Sequence, residues 1–305
     1  MFGHRPDGKR LKHLDPIIQI TPYLMPMRCD AQVFLQHRMD YEKLARYIAE
    51  KNRQGQKITF MQIVVAAYVR AISQNPVLNR FIFNKQYYAR NNCSVSYAVL
   101  KDPQDNESNE TTVRIEFDLT DTLFDVRDRM NDAVEKARAT EDNDFVIKLA
   151  KAVLKIPGLP SLIVWLYRLL DRYGIGPRSF VRELPFYSGM FITNNASIGL
   201  NHVLHHIYNF GDVNLFIGMG NVLKEAFTDS EGNTRMKRWL PIGLTADERV
   251  CSGAHYAKFF ADVTRYTNNP EVLEQPPENV LFDQGVEYHV PKIGEKQEKQ
   301  KKQKK

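Results

Sequence analysis

Strand-patterned and helix-patterned segments alternate along this chain, some strands in hairpin-like pairs, which predicts an α+β fold on a mostly mixed sheet. Apolar residues make up 43% of the 305 positions and charged residues 26%, enough to bury a sizeable core. No internal repeat interrupts that order.

Residues 30–39 alternate as a strand, with Val33 and Leu35 on one side and Gln32 and Gln36 on the other. Asp40 is an N-cap for a helix through Asn52 that carries Leu44, Tyr47 and Ile48 on one face, and Gly55 ends it. Thr59 caps a second helix, Phe60 to Gln74, with Ile63, Val64, Ala67 and Ala71 at helical spacing. Pro76 stops it. Strands follow at Arg80–Phe83, Ser94–Leu100 and Thr112–Asp118, the last two separated by a polar loop at 102–111. Helix Leu123 to Arg138 buries a stripe of Val126, Met130, Val134 and Ala137.

Residues 145–172 are apolar but broken by Lys148, Lys151, Lys155, Arg168 and two prolines, well short of the roughly 20 consecutive apolar residues a bilayer span needs. Two short amphipathic helices joined by the turn Pro157-Gly158 are expected. Packing on its own domain or a neighbouring subunit is the plain expectation for this hairpin; attachment to a membrane surface through the half containing Trp165 is the sharper one. Strands resume at Ser188–Thr193, Asn214–Gly218 and Leu240–Thr245. The closing helix, Ala254 to Thr267, turns Ala257, Phe260 and Val263 inward.

The net charge of +6 resides mostly in the terminus: Lys292 to Lys305 hold seven Lys and two Glu, leaving the body near +1. The tail lacks apolar residues apart from Ile293, so it is expected to be disordered, and no nucleic-acid partner is indicated. Cys29, Cys93 and Cys251 show neither metal nor disulfide spacing, which fits a reducing cytoplasm, and no charged-then-apolar leader opens the sequence.

The most specific segment is 247–253, Asp-Glu-Arg-Val-Cys-Ser-Gly. It closely resembles the signature Asp-His-Arg-x-x-Asp-Gly of chloramphenicol acetyltransferases and of dihydrolipoyl acyltransferase cores of the 2-oxoacid dehydrogenases. Three further segments are similar to that family in the right order: residues 59–79 ending Asn-Pro-Val-Leu-Asn, residues 190–199, and Leu215 to Gly220. The resemblance covers about residues 25–275. It implies a chloramphenicol acetyltransferase-like mixed sheet backed by helices, with a helical hairpin inserted at about 145–185. The domain is expected to span 1–290 and the tail 291–305. No lipoyl domain precedes it, so membership of a dehydrogenase complex is not expected.

The resemblance also implies a trimer with its active site in a channel between subunits, where a base from one faces a hydroxyl of the next. It makes acyl-coenzyme A the co-substrate, with no permanently bound cofactor, and a small molecule the acceptor. Thr193 matches the hydroxyl residue that stabilises the oxyanion. Glu248 stands where the family has its His base, and Ser252 where it has Asp or Asn, so an ordering ion pair is missing there. Asn194, Arg249, Ser252 and Gly253 are the expected substrate contacts. A carboxylate near its ordinary pKa of ~4.3 is a weak base for a thiol near ~8.5 unless burial raises it.

Other bases are available. If residues 201–208 are helical, His202, His205 and His206 share one face; His205 or His206 then becomes a replacement base facing Thr193. No Cys, Asp or Glu accompanies them closely, so no metal is expected. His255 is expected to pack or cap the closing helix, and Cys251 to be a small buried thiol. An acyltransferase is the leading reading. The alternative is a non-catalytic trimeric binding or scaffold protein that kept the fold and lost the base.

Overall fold

The computed structural model describes residues 5–100, 110–139 and 151–294. Strand β1 (Gly8–Arg10) and helix α1 (Pro16–Leu24), neither evident from the sequence, precede β2 (Gln32–Asp40). Helix α2 (Tyr41–Arg53) starts where the Asp40 carboxylate accepts from the amides of Glu42 and Lys43. Helix α3 (Phe60–Gln74) opens on a capping box between Thr59 and Gln62 and stops before Pro76. Strands β3 (Arg80–Phe83) and β4 (Gln86–Arg90) form a hairpin whose two turn residues, Asn84 and Lys85, have φ of 46° and 60°.

Next come β5 (Cys93–Leu100), β6 (Glu110–Phe117) and α4 (Leu123–Ala139). A helical piece at residues 151–154, α5 (Leu159–Arg172) and α6 (Arg178–Glu183) follow. Gly158, with φ of 81°, makes the expected hairpin turn; the start of that hairpin and most of the polar loop fall outside the described residues. Strands β7 (Met190–Asn194), β8 (Leu215–Met219), β9 (Leu223–Thr228) and β10 (Thr234–Asp247) lead to the closing helix α7 (Gly253–Asn268).

Strands run in the order β2-β10-β8-β7-β5-β6, with β9 also on β10. β7 is parallel to β5 and β8, and the other pairs are antiparallel, giving the mixed sheet expected. β1, β4 and β3 form a separate small sheet. Helices α2, α3, α4 and α7 cover one face of the large sheet, and the main core lies between, with Leu44, Ile63, Val126 and Val263 from the helices meeting Val95, Ile192, Ile217 and Leu244 from the strands. On α7 the inward face is carried by Phe259, Val263 and Tyr266; Ala257, expected inside, is exposed.

β10 runs 14 residues where its apolar half alone suggests six, because Thr234–Trp239 pairs with β9 as a hairpin beyond the body of the sheet. The C-terminal stretch is also held more firmly than its composition implies. Lys292 bridges Asp121 and Asp125 at 3.0 and 2.8 Å, beside Arg129, which donates to the carbonyls of Val290 and Pro291.

The other face carries a strap, residues 199–209, with no regular structure. It crosses β8 and β10 at Gly218, Gly220 and Gly243. A Cβ on Gly218 or Gly243 would lie 2.6 or 2.4 Å from the Val203 carbonyl oxygen, and one on Gly220 only 2.0 Å from the amide nitrogen of His202. The expected helix through the three histidines is therefore not formed. Its place is taken by extended chain lying directly on glycine backbone, fastened where Ile207 donates to the Gln32 side chain at 2.8 Å and Asn221 to the Leu200 carbonyl at 3.1 Å.

Candidate active site

Backbone alternation sorts the signature segment into buried and outward residues. Asp247 and Arg249 are buried, and Glu248 between them is exposed. The Asp247 carboxylate accepts from the Arg249 amide at 3.2 Å and from its guanidinium at 2.8 and 2.7 Å, with Arg28 Nε 3.8 Å away. Arg249 also donates to the Met25 carbonyl at 2.9 Å, so it turns away from Glu248. Asp247 amide to Asn214 carbonyl, Glu248 amide to Ala31 carbonyl, and the hydroxyls of Tyr87 and Tyr256 to the carbonyls of Arg249 and Asp247 complete the clamp.

The ion pair belongs to a larger buried set. Arg5 donates to Asp7 and Asp171, and Arg90 donates to the Asp212 carboxylate at 3.0 Å. Four arginines (5, 28, 90 and 249) thus balance four aspartates (7, 171, 212 and 247), every one of them buried. Burial pushes Asp212 up to about 7 despite the Arg90 guanidinium. The sequence reading missed Arg28 and Asp247 as organisers of the loop. Asp247 was visible within the motif, but Arg28 gave no local signal.

Around the same loop, burial pushes the Cys251 thiol up to about 12, so it stays protonated at neutral pH. Ser252 is the N-cap residue of α7, and its hydroxyl lies 2.8 Å from His255 Nδ1. Gly253, the first residue of α7, sits in open space. Ser252 thus makes a hydroxyl–imidazole contact above the loop, while Asp247 and Arg249 order it from below.

Thr193 lies near the end of β7, half-buried, on the strap side of the sheet with Phe191; Met190 and Ile192 face the core. Its hydroxyl is 3.4 Å from Asn195 Oδ1. Asn194 is exposed, whereas Asn195 is buried and its side-chain nitrogen carries no hydrogen bond among the described residues. Of the histidines, His205 stacks on Phe216 at 4.1 Å and on His206 at 4.5 Å, with its Nδ1 2.7 Å from the His206 carbonyl oxygen. His202 lies beside Gly220 instead, so the three share no face. Among the described residues no group of three or more His, Cys, Asp or Glu is placed to hold a metal ion, and no helix is long and apolar enough to cross a membrane.

Register separates the two principal candidates. Thr193 stands opposite Gly218, and Gly218 opposite Gly243. Glu248 follows Gly243 along β10 by five residues, about 17 Å, and two strand spacings add about 10 Å sideways. Within one chain Thr193 and Glu248 therefore lie about 20 Å apart, near opposite ends of the sheet.

A mixed sheet with helices on one face, a half-buried hydroxyl at one end and the clamped signature loop at the other define a chloramphenicol acetyltransferase-like acyltransferase fold. Residues 188–274 match the family described as 2-oxoacid dehydrogenases acyltransferase (catalytic domain). Among solved structures, the cubic core of the pyruvate dehydrogenase multienzyme complex aligns with a TM-score of 0.54 at 13% identity, over 86% of this chain and 93% of that one. A probable dihydrolipoamide acetyltransferase from Listeria monocytogenes 4b F2365 aligns with 0.53 at 12% identity, over 90% and 99%. A truncated catalytic core of the 2-oxoacid dehydrogenase multienzyme complex from Thermoplasma acidophilum gives 0.52 at 15%, over 86% and 99%. These likenesses are likenesses of fold. No curated protein matches the sequence.

Proposed function

We propose that this chain is an acyltransferase that moves an acyl group between coenzyme A and a small acceptor, working as a homotrimer in the cytoplasm. Residues 1–290 form its catalytic domain, with the helical insertion at about 145–185 and the Lys-rich tail from 291. The observation that carries the reading is the separation of Thr193 from Glu248. A hydroxyl at one end of the sheet and an outward carboxylate on a rigid loop at the other serve one reaction only if a neighbouring subunit supplies the second.

In that arrangement Glu248 of one subunit takes the proton from the attacking thiol or hydroxyl, and Thr193 of the next donates to the oxyanion of the tetrahedral intermediate. Closure between subunits excludes water from the channel in which the two side chains meet. Asn194, Arg249, Ser252 and Gly253 border the channel, Arg249 by fixing the loop from within. His205 and His206, the other candidate bases, are held in a ring stack over Phe216, two residues along β8 from the Gly218 that faces Thr193.

The test is calorimetry with acetyl-coenzyme A and coenzyme A at millimolar concentration, then complementation. Thr193→Ala and Glu248→Gln chains are each inactive alone. Co-expressed, they form mixed trimers in which roughly a quarter of the interfaces pair an intact Thr193 with an intact Glu248, so activity returns to about that fraction of wild type. Absence of recovery would refute the shared site. Failure to bind either thioester or free coenzyme A would leave the scaffold reading in its place.

A further inference from the structure

Helix α5 docks by one edge only. Its Tyr167 ring stacks on Phe210 at 5.5 Å and its Asp171 carboxylate accepts from Arg5 at 3.0 Å, one helical turn apart on the inward side. Leu162, Ile163, Trp165 and Leu166 face outward, Trp165 59% exposed. Helix α1 repeats the pattern with Ile17, Ile20 and Leu24 in an exposed stripe, Ile17 at 78%. Between α5, the turn that follows α1 and the β3–β4 hairpin lies a cavity of about 840 Å³. Lys85, Arg168 and Arg172 line it and make no ion pair with a carboxylate among the described residues: Arg172 donates to Asn84, Arg168 to the Asn209 carbonyl, and Lys85 lies over the Tyr23 ring of α1.

The described segment that carries α5 is strongly basic on its exposed positions. From residue 151 to 183 the exposed cations are Lys151, Lys155, Arg168, Arg172, Arg178 and Arg182, against a single exposed acid, Glu183. A body near +1 overall therefore concentrates positive charge beside its largest exposed apolar helices. Soluble-protein surfaces do not usually place a run of exposed Leu, Ile and Trp there, whereas interfacial helices combine apolar side chains with flanking Arg and Lys. A second copy laid face to face would bring Lys85, Arg168 and Arg172 against the same three cations.

We propose that α1, α5 and the cavity between them form a docking surface for an anionic phospholipid bilayer. Apolar side chains of both helices enter the headgroup boundary, and Lys85, Arg168 and Arg172 receive the headgroup phosphate. This places the protein on a membrane surface, and it holds whether or not the acyl-transfer reading does.

The test is sedimentation of the full chain with vesicles of phosphatidylglycerol mixed with phosphatidylcholine, and with phosphatidylcholine alone. Binding is expected to the anionic vesicles only, to weaken with salt, and to shift tryptophan emission to the blue in wild type but not in Trp165→Phe. Neutralising the exposed pair, Arg168→Gln with Arg172→Gln, weakens binding on the order of 30-fold. Binding that survives this change undiminished belongs to the Lys-rich tail, common to both proteins, and overturns the proposal. So does absence of binding to either vesicle, and so does a Trp165→Ser chain that sediments at lower mass than its parent, since that surface is then covered by another copy.

Discussion

Replacing Asp247 by Asn separates what the signature segment does for the fold from what it offers to chemistry. The carboxylate is fully buried, takes three hydrogen bonds from Arg249 and sits 3.8 Å from Arg28 Nε. Asn keeps the shape but turns an amide nitrogen or a neutral oxygen toward two buried guanidiniums. Removing one partner of a buried ion pair costs about 3–5 kcal/mol, a large part of the ~5–15 kcal/mol that holds a domain folded. The melting temperature should fall on the order of 10 °C. Glu248→Gln, one residue away but exposed, should change stability by less than ~0.5 kcal/mol. Urea unfolding of both variants, followed by circular dichroism, gives the comparison. A cost below ~1 kcal/mol for Asp247→Asn, or an equal cost for Glu248→Gln, would show that the buried arginines do not depend on this carboxylate.

Gly243→Ala puts a Cβ 2.4 Å from the Val203 carbonyl oxygen, so the strap must lift; a loss of ~1–3 kcal/mol and faster amide exchange at residues 200–207 are expected, and unchanged exchange would contradict the packing described. Burial lowers the pKa of His37, whose Nε2 lies 3.0 Å from the Thr264 hydroxyl, so below the ordinary imidazole value of ~6.5 the unfolded chain binds a proton that the folded chain resists. Stability from this group is present above that pH and lost as pH falls toward its lower folded value. His37→Asn should flatten the decline in urea midpoint between pH ~7.5 and ~5, and an unaltered slope would assign the decline elsewhere.

The sequence alone determined what short-range chemistry controls. Thr59 and Pro76 set the two ends of α3, Asp40 started α2, and the run Arg80–Phe83 marked β3 within its observed limits. The segment 247–253 pointed to the fold before any strand had been paired. Tertiary structure decided the rest, because register and burial depend on residues far away in the chain. Residues 201–208 have a helical spacing of histidines but became a strap, since Gly218 and Gly243 on two other strands, and Gly220 just past the first of them, let backbone lie on backbone. Arg249 is turned inward by the Asp247 carboxylate and the Met25 carbonyl, a residue two positions away in the motif and one 224 positions away. Strand order then set Thr193 and Glu248 at opposite ends of one sheet, a separation that no local pattern encodes because it is the sum of five residues along β10 and two strand spacings across it.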